Sequence, residues 1–312
     1  MTSAGTPLFT VIVPTHGRAA SLRRCLDALA RQTLPVSEWH AIVVDDGGQQ
    51  DLAPIVAAVR GRVRIDLIRQ RRSGPAAARN AGAAAARGRY LAFTDDDCTP
   101  VPGWLAALAC ASERAPRDML GGPIVNAVRQ NLYSDVSQTV VSYLYEYYNA
   151  GGTVRFLTSN NIAVPAEGFR ALGGFSRGFR LAAAEDRDFC ERWLNAGYSM
   201  TLAPDAVVEH HHALGFRSFW RQHFHYGRGA HGFHRARAAQ ARVPMSVEPL
   251  GFYVGLLRYP FRQRRGLPSA SRTVLMAVTQ VANAAGYFFE AAVAARHRSD
   301  PPHPHTHPDR LV

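Results

Sequence analysis

An α/β architecture, a mostly parallel sheet flanked by helices, is the fold class this 312-residue chain predicts. Three observations carry it. Apolar, β-branched runs alternate with alanine- and leucine-rich helical segments from residue 9 to residue 94. Two of these runs end in carboxylates, at Asp45 and Asp46 and again at Asp95, Asp96 and Asp97. In open sheets of this kind, ligands bind beyond the carboxyl ends of the strands, where these acids fall.

Taken in order, residues 9–13 form a buried-strand run, and 15–18 a loop. Residues 19–32 read as a helix with Leu22, Cys25, Leu26 and Leu29 on one face. A second strand at 40–44 ends in Asp45, Asp46 and two glycines, followed by a helix at 52–60 and a third strand at 63–68. Gly74 and Pro75 open a helix that runs to Ala86 and is stopped by Gly88, and 90–94 is the fourth strand. Beyond Pro123 the pattern loosens. It predicts a tyrosine-rich helix at 130–148, a strand at 156–164, a helix at 185–196 with Phe189, Trp193 and Leu194 facing inward, a short strand at 206–208 and a helix at 215–227. After Ala230 an irregular, arginine-rich stretch is expected.

Two apolar stretches follow, at 250–261 and 273–295. The first is shorter than the roughly 20 residues a bilayer span needs. In the second, Gln280, Asn283, Tyr287 and Glu290 share one side, and Val274, Val278, Val281, Ala285, Phe288 and Ala292 share the other. That pattern predicts an amphipathic helix lying in a membrane interface, with Arg258, Arg262, Arg264, Arg265 and Arg272 toward anionic headgroups. A helical pair packed on the rest of the molecule is the alternative. Residues 296–312, rich in proline and histidine, are expected to be disordered, and His303, His305 and His307 are assigned no role. The domain division is thus 1–215 for the α/β unit that carries the acidic strand ends, 216–295 for a helical extension and 296–312 for a tail.

The net charge of +12 comes from arginine, with no lysine in the chain. A basic surface favours anionic partners such as nucleotide phosphates or acidic lipids. Four scattered cysteines form no Cys-x-x-Cys pair, which suits a reducing compartment and no zinc site. No signal peptide precedes the first strand, so a cytoplasmic location, peripheral at the inner face of the membrane, is expected.

The chemistry concentrates in the aspartates. Buried, uncompensated carboxylates are costly, so such a cluster needs a cation or water. A divalent ion holding a substrate phosphate meets that need, and a solvated Asp-rich turn is the plainer explanation. A sugar nucleotidylyltransferase would want a glycine-rich phosphate loop with a lysine, and a dinucleotide oxidoreductase a Gly-x-Gly-x-x-Gly after the first strand. The chain has neither. Acidic strand ends also repel nucleic acid.

Five runs occur in order: Phe-Thr-Val-Ile-Val-Pro-Thr-His-Gly-Arg from Phe9, Val-Val-Asp-Asp-Gly-Gly from Val43, Gly-Pro-Ala-Ala-Ala-Arg-Asn-Ala-Gly from Gly74, Thr-Asp-Asp-Asp from Thr94, and Glu-Asp-Arg-Asp from Glu185. Together, over residues 8–215, they resemble the family 2 glycosyltransferases with the Rossmann-like GT-A fold. The resemblance implies an inverting, metal-dependent enzyme. It would move one sugar from a nucleotide-diphosphate donor, most often a UDP-sugar, to an acceptor hydroxyl. The acceptor would be a saccharide or lipid-linked precursor in cell-envelope polysaccharide or glycolipid synthesis.

It implies that Asp45 holds the nucleotide base, with Asp46 as its neighbour, Pro14 and Thr15 lining the pocket by their backbone, and Arg79 near the nucleotide. Asp95 would reach the ribose or a metal-bound water, and Asp97 would ligate Mg2+ or Mn2+. Asp96 is able to take either role, and His210 or His212 could complete the metal site. Asp186 would be the base that takes the acceptor proton, with Glu185 supporting it. Asn160 and Asn161 would meet sugar hydroxyls, beside the loop at Gly173 and Gly174. The Gln-x-x-Arg-Trp run of processive relatives is absent, with Trp220, Arg221 and Gln222 in another order, which favours single-sugar transfer. A non-catalytic sugar- or nucleotide-binding protein with the same fold is the alternative.

Overall fold

The computed structural model describes residues 5–179, 184–241, 248–263 and 267–299. The first half is built from strand β1 (Phe9–Thr15), helix α1 (Ala19–Leu29), β2 (Trp39–Asp45), α2 (Ala53–Ala57), β3 (Ile65–Arg69), α3 (Pro75–Ala85) and β4 (Tyr90–Phe93). The four strands lie parallel in the order β3-β2-β1-β4. Every residue of β1 and β4 is buried, because helices cover both faces, and this produces the unbroken apolar runs. Alternation along β1 sends Val11 and Val13 into one core, with Leu22 and Trp104, and Ile12 into the other, with Phe93 and Phe175. The helix α3 lies close enough to β1 that a Cβ on Gly82 would sit 2.5 Å from Ile12 Cγ2.

The chain continues through β5 (Cys98–Pro100), α4 (Trp104–Arg114), β6 (Met119–Gly121), β7 (Ile124–Asn126), α5 (Leu132–Tyr148), β8 (Ile162–Pro165), α6 (Ala166–Ala171), α7 (Glu185–Asn195), β9 (Met200–Leu202) and β10 (Val208–His210). Strand β8 runs antiparallel between β4 and β6, and β9 adds parallel to β6, giving a seven-stranded sheet. A second sheet, ordered β5-β10-β7, pairs His210 with Cys98. That register carries His210 to the aspartate run.

Residues 156–161 are loop, and the strand starts at Ile162. Side chains take the place of a ladder there. Asn149 Oδ1 accepts from the amides of Arg155 and Phe156, and Tyr145 Oη accepts from the amide of Thr158.

Three helices follow: α8 (Phe216–Ala241), α9 (Leu250–Gln263) and α10 (Leu267–Ser299). The expected irregular stretch after Ala230 is helix instead, because His231, Phe233 and His234 are buried and both histidine rings meet Tyr287 of α10. Phe219, Phe252, Leu256 and Met276 form a third core with Val136, Val140 and Tyr143 of α5. The helix α10 turns its apolar side outward: Val274, Val281 and Phe288 are 64%, 59% and 69% exposed. Gln280, Asn283 and Tyr287 face an interior cleft, and Glu290 pairs with Arg228 at 2.7 Å. Among the described residues, no helix is long and apolar enough to cross a membrane. Residues 296–299 continue α10, while Arg264, Arg265 and the tail from 300, with its histidines, lie outside the described residues.

The helices α8 and α10 touch through glycines. A Cβ on Gly227 would lie 1.9 Å from Asn283 O, and one on Gly286 would lie 1.9 Å from Phe224 O. Both neighbours are backbone, so neither can swing aside. Gly286→Ala is expected to cost at least about 1–3 kcal/mol, the usual range for overpacking, measured by urea unfolding. Gly251→Ala, with nothing within 4 Å, is the control and is expected to leave the midpoint within error.

Candidate active site

The strand ends gather the acids at one pole. Asp45 is buried and accepts from the amide of Gly48 at 2.9 Å. Asp46 spends both oxygens on the β3–α3 connection, accepting from Gln70 Nε2 (2.7 Å), Ser73 N (2.8 Å) and Gly74 N (2.8 Å). Its role is therefore to fix that loop, and Gly74 can enter α3 at a φ of 91° only as glycine. Pro14 and Thr15 are buried at the end of β1, and the Thr15 carbonyl accepts from the amide of Asp46.

The three consecutive aspartates have three different environments. Asp96 is fully buried and accepts from Thr15 Oγ1 at 2.6 Å and Arg18 Nε at 3.1 Å. Burial pushes its pKa up to about 7 against the pull of Arg18. With no exposed surface, Asp96 is unavailable to a ligand, which removes it from the ligand-binding candidates. Asp95 is partly exposed and accepts from Arg79 Nη2 at 2.7 Å. Its oxygen is engaged by that guanidinium, and it is not part of the close group of metal-type donors.

That group is Asp97, His210 and His212, whose nearest ligand atoms all lie within 4.8 Å of one another. His210 Nε2 is 3.4 Å from Asp97 Oδ1, and His212 Nδ1 is 3.9 Å from Asp97 Oδ2. Burial opposes the charge on Asp97, but both imidazoles and Arg18 hold its carboxyl well below the usual range. Burial likewise opposes the charge on His210, and Asp97 outweighs it to raise the pKa. Gln222 Oε1 lies 2.6 Å from His212 Nε2. An amide oxygen there selects the tautomer with its proton on Nε2, leaving the Nδ1 lone pair free. Arg18 reaches the same carboxylate, with Nη1 2.6 Å from Asp97 Oδ2.

Arg79 sits behind this group, 3% exposed, and donates to Asp95 and through Nη1 to Glu185 Oε1 at 3.1 Å. It is a buried bridge between β4 and α7 and has little surface left for a nucleotide. Glu185, buried at the start of α7, has its pKa pushed up to about 7 by burial and by Asp186. Asp186 follows, with Oδ1 accepting the Arg187 amide at 2.8 Å and its pKa raised by burial. The residue before the pair, Ala184, has φ 72°, the one non-glycine left-handed backbone among the described residues. Such a conformation costs a non-glycine residue on the order of 1–2 kcal/mol.

The two asparagines part company. Asn160 walls the cleft, but Asn161 is fully buried. Asn161 Nδ2 donates to the carbonyls of Pro123 and Ala206, and Oδ1 accepts from Trp104 Nε1 at 2.7 Å. Every group it has is used, so it is a structural core residue and not a sugar contact.

A cleft of about 760 Å³ takes in Arg18, Asp95, Asp97, His210, His212, Glu185, Asp186 and Asn160, together with walls from α5, α8, α9 and α10. Pro14, Thr15, Asp45 and Asp46 do not wall it. Sequence reasoning missed Arg18, and it also missed the cluster formed by Arg187, Tyr148 and Glu248. Arg187 Nη2 donates to Tyr148 Oη and to Glu248 Oε1, both at 2.7 Å. The arginine after Asp186 was the visible signal, but its partners lie far off in the chain.

The model of Glycosyl transferase family 2 matches residues 10–173. The glycosyltransferase AglE of Haloferax volcanii is 29% identical over 231 residues, covering 72% of this chain and 73% of AglE. The pre-mycofactocin glycosyltransferase of Mycobacterium tuberculosis is 31% identical over 234 residues, 71% of this chain, which spans about half (46%) of that relative. Among solved structures, the mannosyltransferase PcManGT from Pyrobaculum calidifontis, in complex with GDP-Man and Mn2+, superposes with a TM-score of 0.62. It is 19% identical, with 94% of this chain and 88% of that one covered. TarS of S. aureus (residues 1–349), in complex with UDP-GlcNAc, superposes at 0.55 with 16% identity, covering 93% and 91%. At these identities the superpositions establish the fold, the family model covers the sheet that carries the acidic strand ends, and the chain accordingly belongs to glycosyltransferase family 2, as a glycosyltransferase with the GT-A fold.

Proposed function

We propose that the protein transfers one sugar, with inversion, from a nucleotide-diphosphate sugar to an acceptor hydroxyl, using a divalent cation and Asp186 as the base. The observation that carries this reading is the convergence, in one cleft, of a metal-type donor group and a separate buried carboxylate pair. One carboxylate and two imidazoles form a mixed oxygen and nitrogen set, which suits Mn2+ better than Mg2+, an ion that prefers oxygen throughout. Asp97, His210 and His212 are the residues that would hold it. When bound, such an ion stabilises negative charge on a departing diphosphate.

The chain's own residues do the rest. Asp45 is the candidate for the nucleotide base and Asn160 for sugar hydroxyls. Arg79 holds Asp95 and Glu185 at fixed separation. Asp186, at the first turn of α7, takes the acceptor proton in its ionised form, and the helix N-terminus favours that charge. The outward apolar side of α10, with Leu250, Val254 and Phe261 of α9 also exposed, supports a peripheral position on the inner face of a membrane. A role in envelope polysaccharide or glycolipid synthesis follows from that placement.

Calorimetric titration of UDP, dTDP and GDP, with and without Mn2+, tests the reading. Metal-dependent binding of one nucleotide is expected, and the absence of binding by all three overturns it. Asp97→Ala is expected to weaken Mn2+-supported nucleotide binding by about tenfold or more, in line with losses at metal sites. Asp186→Asn is expected to lower kcat by about 10²–10⁴-fold, the usual contribution of a general base, with nucleotide affinity unchanged. Because the base works only when ionised and burial raises its pKa, the wild-type rate should fall on acidification at a pH above the ordinary Asp value of about 3.9. A kcat profile flat down to that value would remove Asp186 from the role.

Arg79→Met leaves Glu185 and Asp95 without their counter-charge. A loss of about 3–5 kcal/mol is expected from breaking a buried ion pair on one side, read from denaturant unfolding.

A further inference from the structure

We propose that the acceptor carries an apolar chain, and that this chain lies in the arm of the cleft walled by α5, α9 and α10. The inference rests on the reading of the cleft as a transferase site and narrows its acceptor to an amphiphile. The cleft holds two chemistries. Beside the acids and imidazoles, its walls include Val141 and Leu144 of α5, Phe252 and Leu256 of α9, and Ala284 and Phe288 of α10. Gln138, Tyr253, Gln280, Asn283 and Tyr287 share these walls, but the six apolar side chains offer a saccharide no hydrogen bonds, and hydroxyls buried against them would be left unpaired. A methylene chain loses nothing there and leaves water.

A polar, hydrogen-bonded cluster shares the cleft with both regions. Arg187, Tyr148, Glu248 and His234 also wall the cleft, with Arg187 stacked on the Tyr148 ring at 4.8 Å. Asp186 and this cluster wall the same cleft, so a headgroup with its reacting hydroxyl at Asp186 has polar partners there, and the chain is assigned to the apolar arm.

The arm also has a way in for a chain. Phe288 walls the cleft and is 69% exposed, in line at seven-residue spacing with Val281 and Val274 on the outward side of α10. Phe288 thus belongs both to the cleft lining and to the exposed apolar stripe, which gives a chain from a lipid surface an apolar way in beside Asn283 and Tyr287.

The test is calorimetry of n-alkyl β-maltosides, hexyl to decyl, below their micelle concentrations, on the full chain with UDP and Mn2+ present. Affinity is expected to rise about threefold to fourfold per added methylene, the fold-change equivalent to about 0.8 kcal/mol for a buried CH2. Ala284 is exposed to the cleft, so Ala284→Trp fills the arm without entering a core and is expected to abolish the chain-length dependence. Val281→Asp, on the outward stripe, is expected to leave the series intact while weakening co-sedimentation with phosphatidylglycerol vesicles. A series independent of chain length, or one that Ala284→Trp does not change, overturns the inference. If that happens while UDP still binds, only the acceptor class falls. If no nucleotide binds, the transferase reading falls and takes the acceptor class with it.

Discussion

The buried guanidinium of Arg79 is the contact on which the site depends. Three carboxylates at the end of β4 and two at the start of α7 lie close together, most of them buried or partly buried, and repel one another. Arg79 donates one hydrogen bond to each group, to Asp95 and to Glu185, and its own pKa is raised by those carboxylates against the cost of burial. Its remaining nitrogen, Nε, has no hydrogen-bond partner among the described residues, nor does Glu185 Oε2. The bridge is therefore imperfect and costs folding energy, and it holds the proposed base helix at a fixed distance from the aspartate run. Arg18 does the same for Asp96 and Asp97 from the β1–α1 loop. Two arginines thus divide five acids, leaving Asp97 facing the histidines and Asp186 facing the cleft.

The second, small sheet has an equally specific consequence. Strand β10 is three residues long, yet it pairs antiparallel with β5 and parallel with β7, so His210 sits opposite Cys98, the residue after Asp97. The amide of His211 then donates to the carbonyl of Asp97 at 2.8 Å, and His212 returns to the same side as His210. Alternation along an extended chain explains why the first and third histidines approach the carboxylate. The middle one turns to Thr99, with Nε2 2.9 Å from its Oγ1.

Much of this was legible from residue order alone. Strands β1, β2 and β4 and helices α1, α3 and α7 announce themselves because each buries nearly a whole strand or one helical face, which leaves an apolar run or a periodic trace, and β3 shows as a short apolar run with only Ile65 buried. The Asp95–Asp97 run stands out because consecutive acids at the end of a buried strand are costly, whereas Glu185–Asp186 opens a helix, where acids are common, and gains meaning only beside that run. Strands β5, β6, β7 and β9, three residues each, have no room for a period, and they and α4 went unread. Asn160 and Asn161 are identical in sequence terms, and only the carbonyls of Pro123 and Ala206 decide which one is core. The choice among the aspartates depended in the same way on Thr15 and Arg18, more than 75 residues away. The run after Ala230 looked irregular because its arginines hid the buried rings of His231, Phe233 and His234.

Helix α8 joins the two halves of the cleft. Gln222 on its first turns fixes the tautomer of His212, and one turn later Gly227 lets the backbone of α10 approach to contact. Between them Tyr226 lines the cleft and donates nothing to the metal-type group, but its hydroxyl accepts from Gln222 Nε2 at 2.9 Å. At Gly227 the two helices meet backbone to backbone, with no side chain between them. The polar contacts beside that point are the Arg228–Glu290 pair between α8 and α10 and the hydrogen bond from Gln222 to Tyr226, and Gln222 is also the residue that meets His212. Helix α8 therefore carries both the partner of His212 and the glycine contact with α10.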